Sequence, residues 1–394
     1  MTTANTTGPA ALTRGARAEA TVDLAALRDN LAALRARTGG PAVMAVVKAD
    51  AYGHGAVRCA REAVAAGIDW LGTATPEEAL ALRAAGIGPD QARVLCWLWT
   101  PDGPWRQALR AAVDISVSGL WALDELLAAV RETGVPGRVH LKADTGLGRN
   151  GCQPHDWPDL VAAALRAQAE GLIEVVGIWS HFAAADEPGH PSIQAQLDSF
   201  AEALAFAERS GARPEVRHLA NSPATLLLPQ SHYDLVRPGL AMYGLSPVPD
   251  VGGPADFGLR PVMSLTARLA LVKTVPGGHG VSYGHHYTTP GPTTLGLVPV
   301  GYADGVPRHA SNTGPVQIGG TWYRVAGRVA MDQFVVDLGG DLPEVGEEVL
   351  LFGPGERGEP TAEDWGRACG TLSYEIITRI GGRVPRRYVG GAAE

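Results

Sequence analysis

Residues 42–48 read AVMAVVK, a run of six apolar residues that ends in Lys48. Turn-forming glycine and proline precede the run, and Gly53 and Gly55 follow it. A short apolar run bounded in this way is typical of a strand that is buried on both faces, and such strands occur in parallel sheets covered by helices. The stretch therefore predicts a parallel α/β fold with a cation at the end of a core strand.

Seven further runs of the same type follow, separated by segments of helical period. The clearest helical segment repeats leucine at positions 24, 27, 31 and 34. Eight such units are the number that closes a (β/α)8 barrel of the TIM type, although periodicity alone also fits an open doubly wound sheet. The further strand candidates are residues 70–75, 93–98, 114–118, 138–144, 174–182, 216–222 and 235–239.

The composition changes after residue 245. The stretch SPVPDVGGPADFGLRP is rich in proline and glycine, and the sequence beyond it has strand patterns with little helical period. Such a change marks a domain boundary. We therefore predict a barrel domain over residues 17–254 and a mostly-β C-terminal domain over residues 255–394.

Charge and hydropathy narrow the class of partner. The chain of 394 residues has a net charge of -8 and no block of like charges, which argues against nucleic acid and membrane surfaces as partners. It shows no signal peptide and no apolar run long enough to span a bilayer, so we expect a cytoplasmic protein that acts on small molecules. No HxH or HExxH motif appears, and we expect no metal.

Polar side chains lie where the predicted strands end. In a parallel barrel these ends share one face, where active sites form. Taken singly, each side chain has a common structural explanation, such as a surface lysine or a salt-bridged arginine. Their convergence on one face indicates a site. The residues are Lys48 and Tyr52 after the first strand, Arg149 after the fifth, His181 at the sixth, Asn221 and Ser222 at the seventh, and Arg237 and Gly239 at the eighth.

The seventh and eighth strand ends suit a phosphate group. Ser222 offers a hydroxyl, and Gly239 lets backbone amides approach a ligand closely. Lys48, partly desolvated on an apolar strand, would have a lowered pKa and be a better nucleophile. Pyridoxal 5'-phosphate carries both an aldehyde for the lysine and a phosphate for the glycine loop.

Nine motifs resemble those of the alanine racemase family, in the same order, over residues 19–388. They are VVKADAYGHG, LKADTGLGRNG, SHFA, ANSPA, VRPGLAMYGL, GVSYG, GYADG, RVAMDQ and SYEI. The resemblance implies a pyridoxal-phosphate enzyme that interconverts L-alanine and D-alanine and supplies D-alanine for bacterial peptidoglycan. It also implies a homodimer with shared active sites. Lys48 matches the lysine that binds the cofactor and acts as one base, and Tyr283 matches the second base, which the other subunit supplies.

Further roles follow from the same resemblance. It implies that the cofactor phosphate is bound by Tyr52, Ser222, Gly239, Leu240 and Tyr374. His181 and Asn221 would lie beside the cofactor, Arg237 would face its ring nitrogen, and Arg149 would bind its phenolic oxygen and the substrate carboxylate. Tyr302 and Met331 would come from the partner subunit. Lys142 matches a lysine that is often carbamylated. Asn150 and Ala330 depart from the family pattern, which affects the shape of the substrate pocket but not the two bases.

Racemisation needs a proton removed from one side of the α-carbon and returned on the other, which calls for two groups. A tyrosine base needs nearby cations or hydrogen-bond donors, and we expect His181 and Arg237 to supply them. Three alternatives remain open at this point: a non-catalytic barrel that binds the cofactor, a decarboxylase of basic amino acids, and a metal-dependent barrel hydrolase. The β-rich second domain argues against the first, and the scarcity of metal motifs against the last.

Overall fold

A computed structural model describes residues 12–392. The chain divides into two compact units. The barrel unit comprises Leu27–Ala51 and Ala56–Arg260. The β unit comprises the described residues up to Ala26, the short segment Tyr52–Gly55, and the described residues from Pro261 onward. The boundary between residues 254 and 255 stays a prediction.

The barrel unit contains eight parallel strands, which confirms the predicted fold. Strands are numbered along the chain; β1 (Ala18–Asp23) belongs to the β unit. The barrel strands are β2 (Ala42–Val46), β3 (Trp70–Thr73), β4 (Arg93–Cys96), β5 (Val113–Val117), β6 (Gly137–Lys142), β7 (Ile173–Trp179), β8 (Val216–His218) and β9 (Leu235–Val236). Their order in the sheet is β8-β7-β6-β5-β4-β3-β2-β9.

Hydrogen bonds outside the strand ladders join the two ends of this sheet. The Asp234 amide donates to the Arg217 carbonyl at 3.1 Å, and the Arg237 amide donates to the Ala220 carbonyl at 2.9 Å. They close β8 against β9 and exclude the open-sheet alternative. Several strands end earlier than the sequence pattern predicts. The first ends at Val46 rather than at the lysine, because the chain turns there into the loop that forms the rim.

Helices alternate with the barrel strands. Each buries an apolar stripe, as in the first, where Leu27, Leu31 and Leu34 are almost fully buried. Burial of one such side chain contributes about 1.5 to 3 kcal/mol. The helices are Leu24–Thr38, Ala56–Ala65, Pro76–Ala84, Trp105–Arg110, Leu120–Thr133, Trp157–Ala169, Pro191–Arg209 and Ser222–Leu227.

The β unit is mostly strand, as predicted. Its strands beyond β1 are β10 (Met263–Arg268), β11 (Leu271–Val275), β12 (Gly280–Val281), β13 (Tyr287–Thr288), β14 (Thr293–Val298), β15 (Pro315–Ile318), β16 (Thr321–Arg324), β17 (Phe334–Gly339), β18 (Glu348–Phe352) and β19 (Arg386–Val389). Its main sheet has the order β16-β15-β18-β10-β1-β19, and smaller sheets have the orders β11-β14-β17 and β12-β13. Two helices, Ala362–Cys369 and Ser373–Thr378, complete the unit.

Two features are absent from the part of the chain that the structure describes. No helix among residues 12–392 is long and apolar enough to cross a membrane. No group of three or more His, Cys, Asp or Glu side chains in that range is arranged to hold a metal ion.

Candidate active site

The backbone after Lys48 makes a left-handed turn. Ala49, Asp50, Ala51 and Tyr52 have φ angles of 52°, 52°, 55° and 54°. Each such residue costs roughly 1 to 2 kcal/mol relative to a right-handed conformation, so other contacts must hold the turn. The Ala49 amide donates to the Glu78 carboxylate at 2.6 Å, and the Ala56 amide donates to the Asp50 carboxylate at 2.7 Å.

Glu78 also ties this turn to the next strand. Its second oxygen accepts from the amides of Ala74 at 2.8 Å and Thr75 at 3.2 Å, at the start of the helix Pro76–Ala84. One carboxylate thus bridges the loops that follow β2 and β3. This bridge positions the lysine at the rim of the barrel.

Cations lie close together at this rim. Burial lowers the pKa of Lys48, and Arg149 lowers it further, while Glu78 raises it. Lys142 ends β6, is almost fully buried, and places Nζ 4.3 Å from the centre of the Trp179 ring. Burial, followed by the charges of Arg237 and Arg149, lowers the pKa of Lys142 to about 7.

Arg237 is a buried cation held by neutral acceptors. Its Nη2 donates to the carbonyl oxygens of Ser180 at 2.8 Å and Leu219 at 3.2 Å, and its Nη1 lies 3.1 Å from Nδ1 of His218. No described carboxylate forms an ion pair with it, and no described residue accepts the proton on its Nε. Burial lowers the pKa of Arg237 to about 9, which still leaves a cation at neutral pH. Its guanidinium carbon lies 4.7 Å from the centre of the Trp179 ring.

His181 lies next to this arginine. Its Nδ1 is 3.2 Å from Nη2 of Arg237, so the imidazole accepts there. Burial, together with the charges of Arg237 and Arg149, lowers the pKa of His181 well below its usual value. A neutral His181 that accepts at Nδ1 carries its proton on Nε2. It can therefore donate a hydrogen bond at the rim, but it adds no positive charge there.

The loops after β8 and β9 are joined through a serine. Ser222 is buried, and its Oγ accepts from the amides of Gly239 at 2.8 Å and Ala241 at 3.2 Å. The hydroxyl proton is therefore free to point elsewhere. Leu240 begins the short helix Leu240–Tyr243, where the first amide has no partner within the helix. Asn221 caps the start of the helix Ser222–Leu227, where its side chain accepts from the Ala224 amide at 3.2 Å.

Two further residues of the predicted site, Tyr52 and Tyr374, lie close together in the β unit. The rings of Tyr52 and Tyr374 lie with their centres 6.2 Å apart. Tyr52 is almost fully buried, and burial raises the pKa of its phenol. Arg386 donates from Nε to the Gly53 carbonyl at 3.0 Å and so fastens the segment Tyr52–Gly55 to this unit.

Three predicted residues lie on the surface of the β unit. Tyr283, Tyr302 and Met331 are 71%, 40% and 52% exposed. The Tyr302 amide donates to the Ala330 carbonyl at 3.1 Å, and the Ala303 amide donates to the Met331 carbonyl at 2.9 Å. The structure therefore brings Tyr302 and Met331 side by side. Exposure of three large side chains suits a surface that receives a partner.

Sequence reasoning missed several residues of the barrel interior. Glu78 supports the lysine turn, and His218, His140 and Asp114 form a buried series behind Arg237. A signal was present: strand β5 reads VDISV, β6 reads GRVHLK and β8 reads VRH, so each contains one or more ionisable residues. Parallel barrel strands are nearly all apolar, so such residues indicate an internal polar network.

Comparison with known families accounts for most of the chain. The family described as alanine racemase, N-terminal domain, matches residues 22–247. The family described as alanine racemase, C-terminal domain, matches residues 262–388.

Individual proteins that are similar to this chain belong to the same family. A curated alanine racemase of Streptomyces coelicolor is 72% identical over 375 residues, which cover 95% of this chain and 96% of that protein. The solved structure of alanine racemase from Streptomyces coelicolor A3(2) has a TM-score of 0.93 and 71% identity, covering 95% of this chain and 98% of that one. The crystal structure of alanine racemase from D-cycloserine producing Streptomyces lavendulae has a TM-score of 0.94 and 66% identity, with the same coverage.

Proposed function

This chain belongs to the alanine racemase family and is an isomerase of that class, and we propose that Lys48 and Tyr283 carry out the two proton transfers of its reaction. The reaction interconverts L-alanine and D-alanine. In a bacterium, D-alanine made in this way would enter peptidoglycan synthesis. The cytoplasm is the location we propose for it.

One observation carries the assignment of the site: the convergence of Lys48, Lys142, Arg149 and Arg237 at one rim of the barrel unit. The positive charges of Arg237, Arg149 and Lys48 each lower the pKa of Lys142. Cations this close repel one another, and a negatively charged ligand relieves that repulsion. Pyridoxal 5'-phosphate, with its phosphate and ring oxygen, has the required charge and an aldehyde that suits an amine of lowered pKa. The residues present therefore fit this cofactor.

Bound pyridoxal phosphate withdraws electrons from the α-carbon of an amino acid and so weakens the C–H bond there. We propose that Lys48 holds the cofactor and moves the α-proton on one side. The left-handed turn and the Glu78 bridge fix the direction from which Nζ approaches. The lowered pKa of Lys48 increases the fraction of amine that is unprotonated and able to accept a proton.

Tyr283 is the proposed base for the other side. Its phenol is 71% exposed on the β unit. We propose a homodimer in which residues 255–394 reach the barrel site of the partner, so that Tyr283 of the partner subunit faces Lys48. His181 would then donate a hydrogen bond and Arg237 would supply positive charge, and both would stabilise the phenolate.

Arg237 has a second proposed role, at the ring nitrogen of the cofactor. No described residue accepts the proton on its Nε, which leaves that donor for a ligand. An arginine does not release its proton, so Arg237 would leave the ring nitrogen of a bound cofactor unprotonated. In this way Arg237 would favour prompt return of the proton to the α-carbon, and so racemisation over transamination.

The remaining predicted residues are proposed to bind the cofactor phosphate and the substrate. Ser222, with the Gly239 and Leu240 backbone, is the proposed phosphate site of the barrel unit. The phenols of Tyr52 and Tyr374 are also proposed phosphate donors, as in the family motif. Asn221, which caps the helix beginning at Ser222, would help to orient that loop. Arg149 would bind the substrate carboxylate, and Tyr302 and Met331 of the partner subunit would line the substrate pocket. A carbamylated Lys142 would bear a negative charge beside Arg149.

Peptide mapping tests the central assignment. Borohydride makes the bond between a lysine and an aldehyde permanent. The holoenzyme treated in this way should yield a labelled peptide containing Lys48, and untreated enzyme should convert L-alanine to the racemate. A label on Lys142 or Lys273 instead, or L-alanine that keeps its optical rotation, would overturn the assignment.

A further inference from the structure

A continuous series of buried polar side chains runs from Arg237 through the interior of the barrel. Nη1 of Arg237 lies 3.1 Å from Nδ1 of His218. Nε2 of His218 lies 2.9 Å from Nδ1 of His140, and Nε2 of His140 lies 3.4 Å from Oδ2 of Asp114. Both imidazoles are fully buried. The series passes through β8, β6 and β5, so it is part of the barrel core rather than of the loops.

Each hydrogen bond in this series has only one possible direction. Arginine can only donate, so Nδ1 of His218 must accept. Burial, and then the charge of Arg237, lowers the pKa of His218 well below its usual value, so the ring is neutral and carries its one proton on Nε2. That proton is donated to Nδ1 of His140, which in turn carries its proton on Nε2. The carboxylate of Asp114 accepts it.

The far end of the series lies among charged residues at the start of the strands. Oδ1 of Asp114 accepts from Nε of Arg138 at 3.1 Å, and Arg138 also pairs with Glu174 at 2.8 Å. Burial acts to raise the pKa of Asp114, but the hydrogen bond from His140 and the charge of Arg138 outweigh it, so the pKa is lowered. Asp114 therefore supplies a permanent negative charge at the end opposite to Arg237.

We propose that Asp114 and His140 are positioning residues for the racemase reaction, because they keep His218 as an acceptor and thereby hold the Arg237 guanidinium in place. This inference rests on the proposed function of Arg237 at the cofactor ring. It adds two residues, both remote from the rim, to the machinery of the site. With His218 in the other tautomer, two N–H groups would face each other and the guanidinium would turn away.

The unaltered holoenzyme provides the first test, which does not depend on activity. Nitrogen-15 NMR distinguishes the two neutral tautomers of histidine from the protonated ring. We expect both His140 and His218 to be neutral with the proton on Nε2. A protonated ring at either position, or a proton on Nδ1 of His218, would overturn the proposal. Because peptide mapping at Lys48 is independent of these signals, failure of the proposed function would be recognised separately.

Asp114→Asn is the second test, since it preserves shape and removes the charge. Arg138 can only donate, so the new amide oxygen should face Arg138 and the amide N–H should face His140. The series would then reverse and place a proton on Nδ1 of His218, opposite Arg237. We expect that tautomer by NMR, an altered absorption spectrum of the bound cofactor, and a fall in kcat of about tenfold with little change in KM.

Thr73→Val is the matched control. Thr73 is a fully buried barrel residue whose hydroxyl donates to the Leu95 carbonyl at 3.3 Å, outside the series. This variant should keep the histidine signals, the spectrum and kcat of the parent protein. If Asp114→Asn folded and behaved like Thr73→Val in all three measurements, the proposal would be refuted. If Asp114→Asn did not fold, the tautomers of the unaltered enzyme would decide the question.

Discussion

The carboxylate of Glu78 accepts a hydrogen bond from the amide of Ala49 at 2.6 Å. The same carboxylate raises the pKa of Lys48, against the larger effect of burial and that of Arg149. Glu78 therefore has two separable effects on the lysine, one through geometry and one through charge. Its amide and alanine variants distinguish them.

Glu78→Gln removes the charge and keeps one oxygen, which can still accept from the Ala49 amide, while an NH2 group replaces the oxygen that accepts from the amides of Ala74 and Thr75. The pKa of Lys48 should fall further, so the unprotonated amine persists to lower pH. The rate at which the apoenzyme takes up pyridoxal phosphate should rise with pH through an inflection that lies lower than in the parent protein. Glu78→Ala, which also removes the acceptor, should slow uptake at every pH. An inflection for Glu78→Gln that is unmoved or lies at higher pH would contradict the electrostatic role.

Tyr283→Phe removes the proposed second base. We expect exchange of the α-proton of L-alanine with deuterium, followed by NMR, to slow by about 10² to 10⁴-fold. Tyr287→Phe is the control, because Tyr287 lies in the same unit and donates to the Asp337 carboxylate at 2.6 Å. That control should lower the free energy of unfolding by about 1 to 2 kcal/mol and leave exchange unchanged. Exchange by Tyr283→Phe at the parent rate would eliminate Tyr283 as the base.

Arg237→Glu replaces the cation at the ring nitrogen by an acid. Circular dichroism would check that the variant folds. Racemisation should slow, and transamination, measured as pyruvate formed per turnover, should increase. Arg237→Lys keeps the charge and should not show that increase. Equal transamination in the two variants would count against the proposed role of the arginine.

Lys142 should carry a carbamate. Only the neutral amine reacts with carbon dioxide, forming an N–C bond and releasing a proton, so a pKa of about 7 favours the reaction under neutral conditions. The modified fraction, measured by NMR with ¹³C-labelled carbon dioxide, should increase as the pH rises through about 7. Exposed Lys273 serves as the internal control and should stay unmodified. A Lys142 signal that is absent over this pH range would refute the modification.

Gly301→Ala tests the support of the substrate pocket. A Cβ atom at Gly301 would lie 2.3 Å from the Ala330 carbonyl oxygen and 2.5 Å from that of Met331, so the backbone must move. We expect a loss of about 1 to 3 kcal/mol in the free energy of unfolding and a higher KM for alanine. Gly340→Ala, where a Cβ would meet nothing within 4 Å, is the control and should change neither. Unchanged stability of Gly301→Ala would show that this contact is looser than the structure indicates.

The sequence predicted the barrel because short, mainly apolar strand candidates alternate with segments of helical period, the clearest of which keeps a regular leucine spacing. It also predicted the rim residues, since Lys48, His181 and Arg237 each stand at or just after a strand end. The left-handed turn after Lys48 could not be predicted from these sequence patterns. Non-glycine residues disfavour that conformation, and the contacts that hold it here include one from Glu78, which lies in the helix after the next strand.

The buried series of His218, His140 and Asp114 next to Arg237 was also not predicted. Asp114, His140 and His218 are far apart in the chain, and each lies within a different strand candidate. Their hydrogen bonds depend on the register of β5, β6 and β8, which the order of residues does not reveal.

Local patterning was thus enough to specify the class of fold, the two-part organisation and the family motifs, because hydrophobic period and motif spacing are properties of neighbouring residues. The folded chain added the closure of β8 against β9, the assignment of Tyr52 to the β unit, and the proton order from Arg237 to Asp114. These depend on contacts between distant segments, whose geometry arises only when the barrel closes, excludes water and leaves its buried polar groups to pair with one another.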